Sequence, residues 1–215
     1  MRISKRLGFL LATLSLLLAV NGPFPDPAVD LERPATKGKQ TAVFAGGCFW
    51  CTEAVFEQLA GVEKVVSGYS GGDAASAHYK IVGEGRTEHA ESIEITFDPS
   101  RITYGQLLKV FFSVAHDPTQ VNRQGPDYGK QYRSAIFYSN EDQKRVAQAY
   151  IEQLTKSNLF SAPIATQVVP LKAFYPAEAY HQHFVKNNPG NPYVMVNAVP
   201  KLHKLKKLYP ELLRK

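Results

Sequence analysis

The chain has 215 residues, a net charge of +6, 44% hydrophobic residues and two cysteines. Its aromatic fraction of 11% and charged fraction of 20% are ordinary for a folded protein, so the composition argues against intrinsic disorder, and the length favours one domain. Residues 1–30 carry a net charge of +1 and residues 201–215 carry +5, so residues 31–200 sum to zero. A nucleic-acid-binding protein needs a basic patch on its folded body, and the charge count therefore argues against a nucleic-acid partner.

The first residues have the pattern of an export signal. A basic start is followed by 13 uncharged residues from Gly8 to Val20, fewer than the roughly 20 apolar residues that cross a bilayer. Residues 1–22 are therefore predicted to be an export signal or, because no clear cleavage site follows, an anchor that contacts the membrane. We expect the protein in the bacterial periplasm, or anchored in the inner membrane and facing the periplasm. Residues 23–40 contain four prolines and predict a linker.

From residue 41 onward, short strand and helix patterns alternate. Strands are predicted at 41–45, 62–69, 91–97, 132–138 and 166–171, and helices at 48–59, 103–115, 141–156 and 177–186. A long polar loop is expected between residues 116 and 131. This order predicts an α+β fold, a two-layer split βαβ (ferredoxin-like) sandwich with an additional C-terminal helix and loops. The predicted domain covers residues 41–200, and residues 201–215 are expected to form a basic C-terminal tail.

The chemistry is concentrated where the first strand meets the first helix. Both cysteines and the only tryptophan lie within residues 48–51, directly after Gly46 and Gly47. A strand that turns through two glycines into a helix places Cys48 beside unpaired N–H groups, which favours its thiolate. Cys51 lies one turn further along the same face, about 5–6 Å away between Cβ atoms, which suits a disulfide.

The spacing therefore predicts a redox pair in which Cys48 is oxidised and Cys51 resolves it. The alternatives are a disulfide that only staples the domain, or two buried thiols. A loop this short gives a disulfide little entropic stabilisation, so the redox interpretation is favoured.

The segment Gly47-Cys48-Phe49-Trp50 resembles the GCFW signature of the A-type peptide methionine sulfoxide reductases. Further motifs of that family follow in order and extend the resemblance over about residues 41–190. They are Gly68-Tyr69, His78-Tyr79, His89-Ala90-Glu91, Asp98-Pro99, His116-Asp117-Pro118, Arg123-Gln124-Gly125, Asp127, Gln131-Tyr132-Arg133-Ser134 and His181-Gln182.

The resemblance implies that residues 41–200 form a reductase domain that converts methionine S-sulfoxide, free or in proteins, to methionine. It implies that Cys48 attacks the sulfoxide sulfur and that Glu91 is the acid on the sulfoxide oxygen. The substrate-binding residues that it implies are Phe49, Trp50, Tyr79, Asp127 and Tyr132. A carboxyl group donates a proton only when it is protonated, so an apolar site must raise the pKa of Glu91.

Two departures from the family pattern bear on the recycling step. Cys51 stands where glycine is common in the family, and the C-terminal cysteines of many members are absent from residues 194–196. Attack leaves Cys48 as a sulfenic acid, which condenses with a nearby thiol. We therefore expect a Cys48–Cys51 disulfide that an external dithiol such as thioredoxin reduces. No other cofactor is expected, and we expect a monomer.

Other interpretations remain open from the residues alone. A thioredoxin-like C-x-x-C oxidoreductase acting on disulfides is one, and a binding module without catalysis is another. Glu53 lies in the first helical turn and is expected to be structural, with capping bonds. His181 and His183 form an H-x-H pattern, but this spacing does not match a zinc site, so no metal is expected. Leucines between the lysines of the tail favour a short docked helix, with a membrane-surface role as the alternative.

Overall fold

The structure is a computed structural model that describes residues 24–32 and 38–215. The predicted export signal at residues 1–22 lies outside the described residues. No helix in the described ranges is long and apolar enough to span a bilayer. The elements in chain order are β1 (Gln40–Gly46), α1 (Phe49–Phe56), β2 (Val62–Ser70), α2 (Tyr79–Val82), β3 (Ala90–Phe97), α3 (Tyr104–Val110), β4 (Arg123–Gln124), β5 (Asp127–Tyr128), β6 (Ser134–Tyr138), α4 (Glu141–Lys156), β7 (Gln167–Pro170), β8 (Phe174–Pro176), α5 (Phe184–Asn187), α6 (Pro192–Asn197) and α7 (Val199–Leu208).

A six-stranded mixed sheet in the order β7-β6-β1-β3-β2-β8 forms one layer. The β6–β7 pair is parallel, and the other neighbours are antiparallel. Successive residues of a strand point to opposite faces, and β1 shows this clearly. Ala42 and Phe44 face the large core with the helices, whereas Val43 and Ala45 belong to a smaller cluster on the other face. The predicted α+β class is therefore confirmed.

Phe44 at the centre of the sheet fixes the helices that carry the site. It is fully buried, and its ring lies 5.8 Å from Phe56 of α1, 6.0 Å from Tyr104 and 4.9 Å from Phe111, between ring centroids. Burial of a side chain of this size contributes about 1.5–3 kcal/mol. These contacts hold α1 against β1, the strand that leads into this helix.

Several predicted element boundaries hold, and others are wrong. The helix predicted at 141–156 is α4, residue for residue, and the strand predicted at 62–69 is β2 with one residue added. The helix predicted at 177–186 is wrong, because residues 179–181 form a 3₁₀ turn and His183 adopts a left-handed backbone with φ 55°, so that only α5 is helical. The helix predicted at 103–115 ends as α3 at Val110 and continues as a π-helical turn over Phe111–Ala115.

Part of the predicted linker is docked on the domain. The Tyr150 hydroxyl donates to the Pro25 carbonyl at 2.7 Å, and Asp30 accepts the backbone N–H of Gly105 at 2.8 Å and the Thr103 hydroxyl. Phe24 packs edge-on against Phe160. Residues 24–31 therefore belong to the folded body, although their prolines and polar residues are typical of a linker.

The basic C-terminal segment is also part of the body rather than a separate tail. Leu205 of α7 is fully buried, and the Tyr209 hydroxyl donates to the Ser113 hydroxyl at 2.9 Å. An isolated bridge joins Leu213 to Leu59 after the end of α1. The packing thus shows no boundary at residue 200, and the docked-helix interpretation of this segment fits the structure.

A substitution in α7 should test this docking. Leu205→Ala leaves a cavity in the main core, so we expect the free energy of unfolding to fall by about 2–5 kcal/mol. Leu208→Ala on the same helix is the control, because that side chain is 43% exposed and its loss should cost less than about 0.5 kcal/mol. Urea unfolding measures both, and equal small losses would contradict the docking.

Candidate active site

The site begins at the turn between β1 and α1. Gly47 has φ +85°, a backbone conformation that glycine adopts without strain, and a Cβ atom there would lie 2.4 Å from the Gln124 side chain. The turn therefore requires glycine for two reasons. It ends at Cys48, the residue that precedes the first residue of α1.

The two cysteines lie one helical turn apart as predicted. The Cys51 backbone N–H donates to the Cys48 carbonyl at 3.1 Å. Both thiols are free and buried, with exposed fractions of 9% for Cys48 and 3% for Cys51, and they hydrogen-bond to each other. A short movement of the side chains is enough to bring the sulfur atoms together, since both sit on one turn of one helix.

The expected easy ionisation of Cys48 is wrong for the substrate-free site. Burial raises the pKa of Cys48 well above its ordinary value, because removal of water penalises the thiolate more than the helix terminus stabilises it. The pKa of Cys51 is lowered instead, chiefly by the hydrogen bond from Cys48 and further by the positive charge of Lys201. At rest, therefore, Cys48 carries its proton.

Glu91 lies beside Cys48 at the start of β3. Its side chain is 2% exposed, and its Oε2 atom accepts the backbone N–H of Phe49 at 3.1 Å. Burial raises the pKa of Glu91 well above its usual range, and a negative charge on Cys48 raises it further. The raised pKa favours the protonated carboxyl group, which is the form that a proton donor needs.

A cavity of about 220 Å³ lies in front of Cys48 and Glu91. It brings together all the predicted site residues except Cys51. Its lining is Cys48, Phe49, Trp50, Tyr79, Glu91, Asp127, Tyr132 and Tyr193. Burial raises the pKa of Tyr79 and Tyr132, so both hydroxyls keep their protons and can donate to an oxygen in the cavity.

Cys51 lines a second, smaller cavity of about 50 Å³, which Cys48 also lines. Asp127 and Tyr193 line both cavities, and Lys201 lines the smaller one. Cys48 thus lines both the cavity that contains Glu91 and the cavity that contains Cys51.

Tyr193 is a site residue that the sequence prediction missed. Its hydroxyl donates to Asp127 Oδ2 at 2.5 Å and interacts with both thiols. Asn191 and Pro192 start α6 as N-cap and first helical residue, and Asn191 accepts the Tyr193 N–H at 2.9 Å. The Asn-Pro pair is a signal for a helix start, but it does not indicate that the first turn faces the cysteines.

Trp50 is held in place by three aromatic neighbours from the C-terminal third of the chain. Its indole N–H donates to His181 Nδ1 at 3.0 Å, its ring stacks on Phe184 at 3.8 Å, and Tyr193 packs against its edge. The indole therefore has one orientation in which it forms a wall of the cavity.

Comparison with known proteins agrees with this geometry. A sequence model of the family described as peptide methionine sulfoxide reductase matches residues 40–212. Peptide methionine sulfoxide reductase MsrA 2 of Synechocystis sp. is 54% identical over 97% of this chain and 99% of its own length. The enzyme MsrA of Deinococcus radiodurans is 50% identical over 82% of this chain and 85% of its own.

The chain belongs to the peptide methionine sulfoxide reductase family.

Two solved structures support the same assignment. Methionine sulfoxide reductase A of Corynebacterium diphtheriae matches with a TM-score of 0.63 and 31% identity over 79% of this chain and 84% of its own. Mxr1 from Saccharomyces cerevisiae in reduced form matches with a TM-score of 0.64 and 34% identity over 74% and 91%. This A-type reductase is a peptide-methionine (S)-S-oxide reductase, which reduces methionine sulfoxide with thiols and repairs oxidised proteins.

Glu53 of the reductase is structural, but not through the capping bonds that were expected. Helix α1 has no side-chain cap, and Glu53, 1% exposed, instead accepts the His183 backbone N–H at 2.9 Å. The bond joins α1 to the segment that carries the aromatic neighbours of Trp50. Burial raises the pKa of Glu53 to about 7.

The two histidines of the H-x-H pattern have separate environments in the reductase. His181 accepts from Trp50, whereas His183 is bonded to Glu57. Within the described part of the chain, Glu53, Glu57 and His183 are the one group whose ligand atoms are close enough together to hold a metal ion. None of the three lines the cavity with Cys48 and Glu91.

The raised pKa of Glu53 predicts a pH-dependent stability. Because the folded-state pKa of about 7 exceeds the ordinary value of 4.5, the folded reductase binds more protons than the unfolded chain between these values. Its free energy of unfolding therefore falls as pH rises through this window. Glu53→Gln removes the titration, so the stability of the wild type relative to this variant should fall by up to about 3 kcal/mol from about pH 5 to about pH 8.

Urea unfolding at the two pH values measures this difference. The matched control is Glu63→Gln, a substitution of an exposed residue on β2, for which we expect a change below about 0.5 kcal/mol. A difference between wild type and Glu53→Gln that stays constant with pH would refute the prediction.

Proposed function

We propose that Cys48, Cys51 and Glu91 carry the complete catalytic cycle of this reductase. The observation that carries the proposal is the single cavity in which the Cys48 thiol, the Glu91 carboxyl and the Trp50 indole meet. A sulfoxide needs these three groups at once: a nucleophile for sulfur, a proton for oxygen and an apolar wall for its methyl group. In a thioredoxin-like disulfide oxidoreductase, Glu91 and the aromatic wall of the cavity would have no role.

In the first step, the Cys48 sulfur attacks the sulfoxide sulfur. The Phe49 N–H engages Oε2 of Glu91, so the other carboxyl oxygen is free to carry the proton that the sulfoxide oxygen takes up. Tyr79 and Tyr132 donate further hydrogen bonds to the same oxygen. Cys48 gives up its thiol proton, which restores the Glu91 carboxyl. The oxygen passes to Cys48, which becomes a sulfenic acid, while the sulfoxide gains two electrons and leaves as methionine.

In the second step, Cys51 resolves the sulfenic acid. Its thiolate forms the S–S bond with Cys48, the S–O bond breaks, and the hydroxide that leaves takes up the proton that Cys51 released, which gives water. The two cysteines are the only ones in the chain, so no internal relay is available. An external dithiol such as thioredoxin must therefore reduce the Cys48–Cys51 disulfide by direct exchange.

We also propose the finer classification of the fold and the location of the enzyme. Four adjacent strands of the sheet, β6-β1-β3-β2, with α1 between β1 and β2 and α3 between β3 and β6, support a split βαβ (ferredoxin-like) sandwich. The basic and apolar pattern of residues 1–22 supports export to the periplasm or an inner-membrane anchor facing it. Fractionation of cells that make the full chain tests the location, and recovery only in the cytoplasmic fraction would overturn it.

The division of labour between the cysteines can be tested by single turnover. Without reductant, Cys48→Ser should give no methionine, whereas Cys51→Ser should give about one equivalent per enzyme and stop at the sulfenic acid. With thioredoxin, Cys51→Ser should lose multiple turnover by at least about tenfold relative to the wild type. Methionine is quantified by chromatography, and turnover of Cys51→Ser at the wild-type rate would overturn the resolving role.

The acid role of Glu91 predicts a large loss on substitution. Glu91→Gln keeps the shape and a hydrogen-bond donor but has no acidic proton, so we expect kcat to fall by about 10²–10⁴-fold. Because only the protonated carboxyl is active, wild-type activity should fall as pH rises past the raised pKa of Glu91, and Glu91→Gln should lack this step. Glu88→Gln, at an exposed position before the same strand, is the control. A loss below about tenfold, or an unchanged pH profile, would contradict the assignment.

A further inference from the structure

Lys201 is the one lysine or arginine of residues 201–215 that is not exposed. It lies in the first turn of α7 and is half-buried. Its ammonium group donates to the Ala115 carbonyl at the end of the π-helical turn. Residues 201–215 supply most of the net charge of the chain, and the charge of Lys201 is the one that points into the protein.

The Lys201 ammonium group has no carboxylate within ion-pair distance in the described part of the chain. Among the residues that the structure describes, Lys201 takes part in no ion pair within 4.0 Å. An ammonium group has three donors, and the Ala115 carbonyl uses one of them. A charge withdrawn from water is stabilised by a nearby opposite charge, and the groups that can supply one are those that share its cavity.

Both thiol groups share a cavity with Lys201. Lys201 lines the small cavity together with Cys48 and Cys51, and the other ionisable residues of that cavity are Asp127 and Tyr193. Tyr193 donates its hydroxyl proton to Asp127, so it brings no positive charge to either thiol. Lys201 thus supplies the positive charge on the side of the site where Cys51 lies.

We propose that Lys201 is a positioning residue for the resolving half-reaction, in which its ammonium group stabilises the Cys51 thiolate. This role rests on the proposed Cys48–Cys51 cycle and deepens it. Lys201 acts in two steps. Cys51 is a thiolate when it attacks the Cys48 sulfenic acid, and it becomes a thiolate again when a dithiol attacks Cys48 and breaks the S–S bond. Exchange is faster when the leaving thiol has a lower pKa, and a lowered pKa of Cys51 accords with a nearby cation.

The test measures the ionisation of Cys51 directly. In a Cys48→Ser background, where Cys51 is the only thiol, the ultraviolet absorbance of the thiolate is followed against pH. Lys201→Gln keeps a donor for the Ala115 carbonyl but removes the charge, and should raise the pKa of Cys51 by about one unit, a tenfold change in the ionisation constant. Lys201→Arg should restore the wild-type value. The matched control is Lys206→Gln on the exposed face of α7, which should leave it unchanged.

A second measurement gives the rate of disulfide formation in the enzyme with both cysteines. After one equivalent of methionine sulfoxide without reductant, disulfide formation near pH 7 should be about tenfold slower in Lys201→Gln, and the difference should vanish at higher pH as Cys51 ionises. Should Lys201→Gln not fold, Lys201→Met, which fills the same space, takes its place. A wild type that forms no Cys48–Cys51 disulfide would overturn the cycle itself. If the wild type forms the disulfide, but the Lys201 variants keep the wild-type pKa of Cys51 and the wild-type rate of disulfide formation, only the role of Lys201 is overturned.

Discussion

The hydrogen bond from the Phe49 N–H to Glu91 is the contact on which the rest of the site depends. It joins the first residue of α1 to the start of β3, and so places a buried carboxyl next to the residue that precedes the helix. The same burial that raises the pKa of Glu91 also raises the pKa of Cys48, because desolvation penalises both anions. In the proposed reaction, substrate binding therefore meets a site that favours the protonated forms of both the proton donor and the nucleophile, and the transfer of their protons becomes part of the reaction.

The C-terminal third of the chain completes what the GCFW turn begins. His181 and Phe184 orient the indole of Trp50, Tyr193 reaches Cys48, and Lys201 enters from α7. Glu53 ties this part of the chain back to α1 through the His183 backbone. Many members of the family carry cysteines in this region. In this chain the region forms a wall of the site instead.

The sequence predicted the parts of the fold that local patterns determine. The strand alternation of β3 and the apolar spacing of α4 depend on neighbours in the chain, and the motifs at Cys48 and Glu91 identify the chemistry. The pKa direction of Cys48 could not be predicted in this way, because a helix terminus is a local feature whereas desolvation depends on how distant segments pack. The same reason applies to Tyr193 and to the break at His183: each is fixed by contacts with residues more than sixty positions away.

The protonated resting state of Cys48 has a consequence for selectivity among oxidants. A thiolate reacts with peroxides whether or not a substrate is bound, whereas a thiol does so slowly. With its proton held by burial, Cys48 is protected from oxidation to the sulfinic and sulfonic acids, which no thiol can reverse. Such protection suits an enzyme that works where oxidants are the cause of the damage that it repairs.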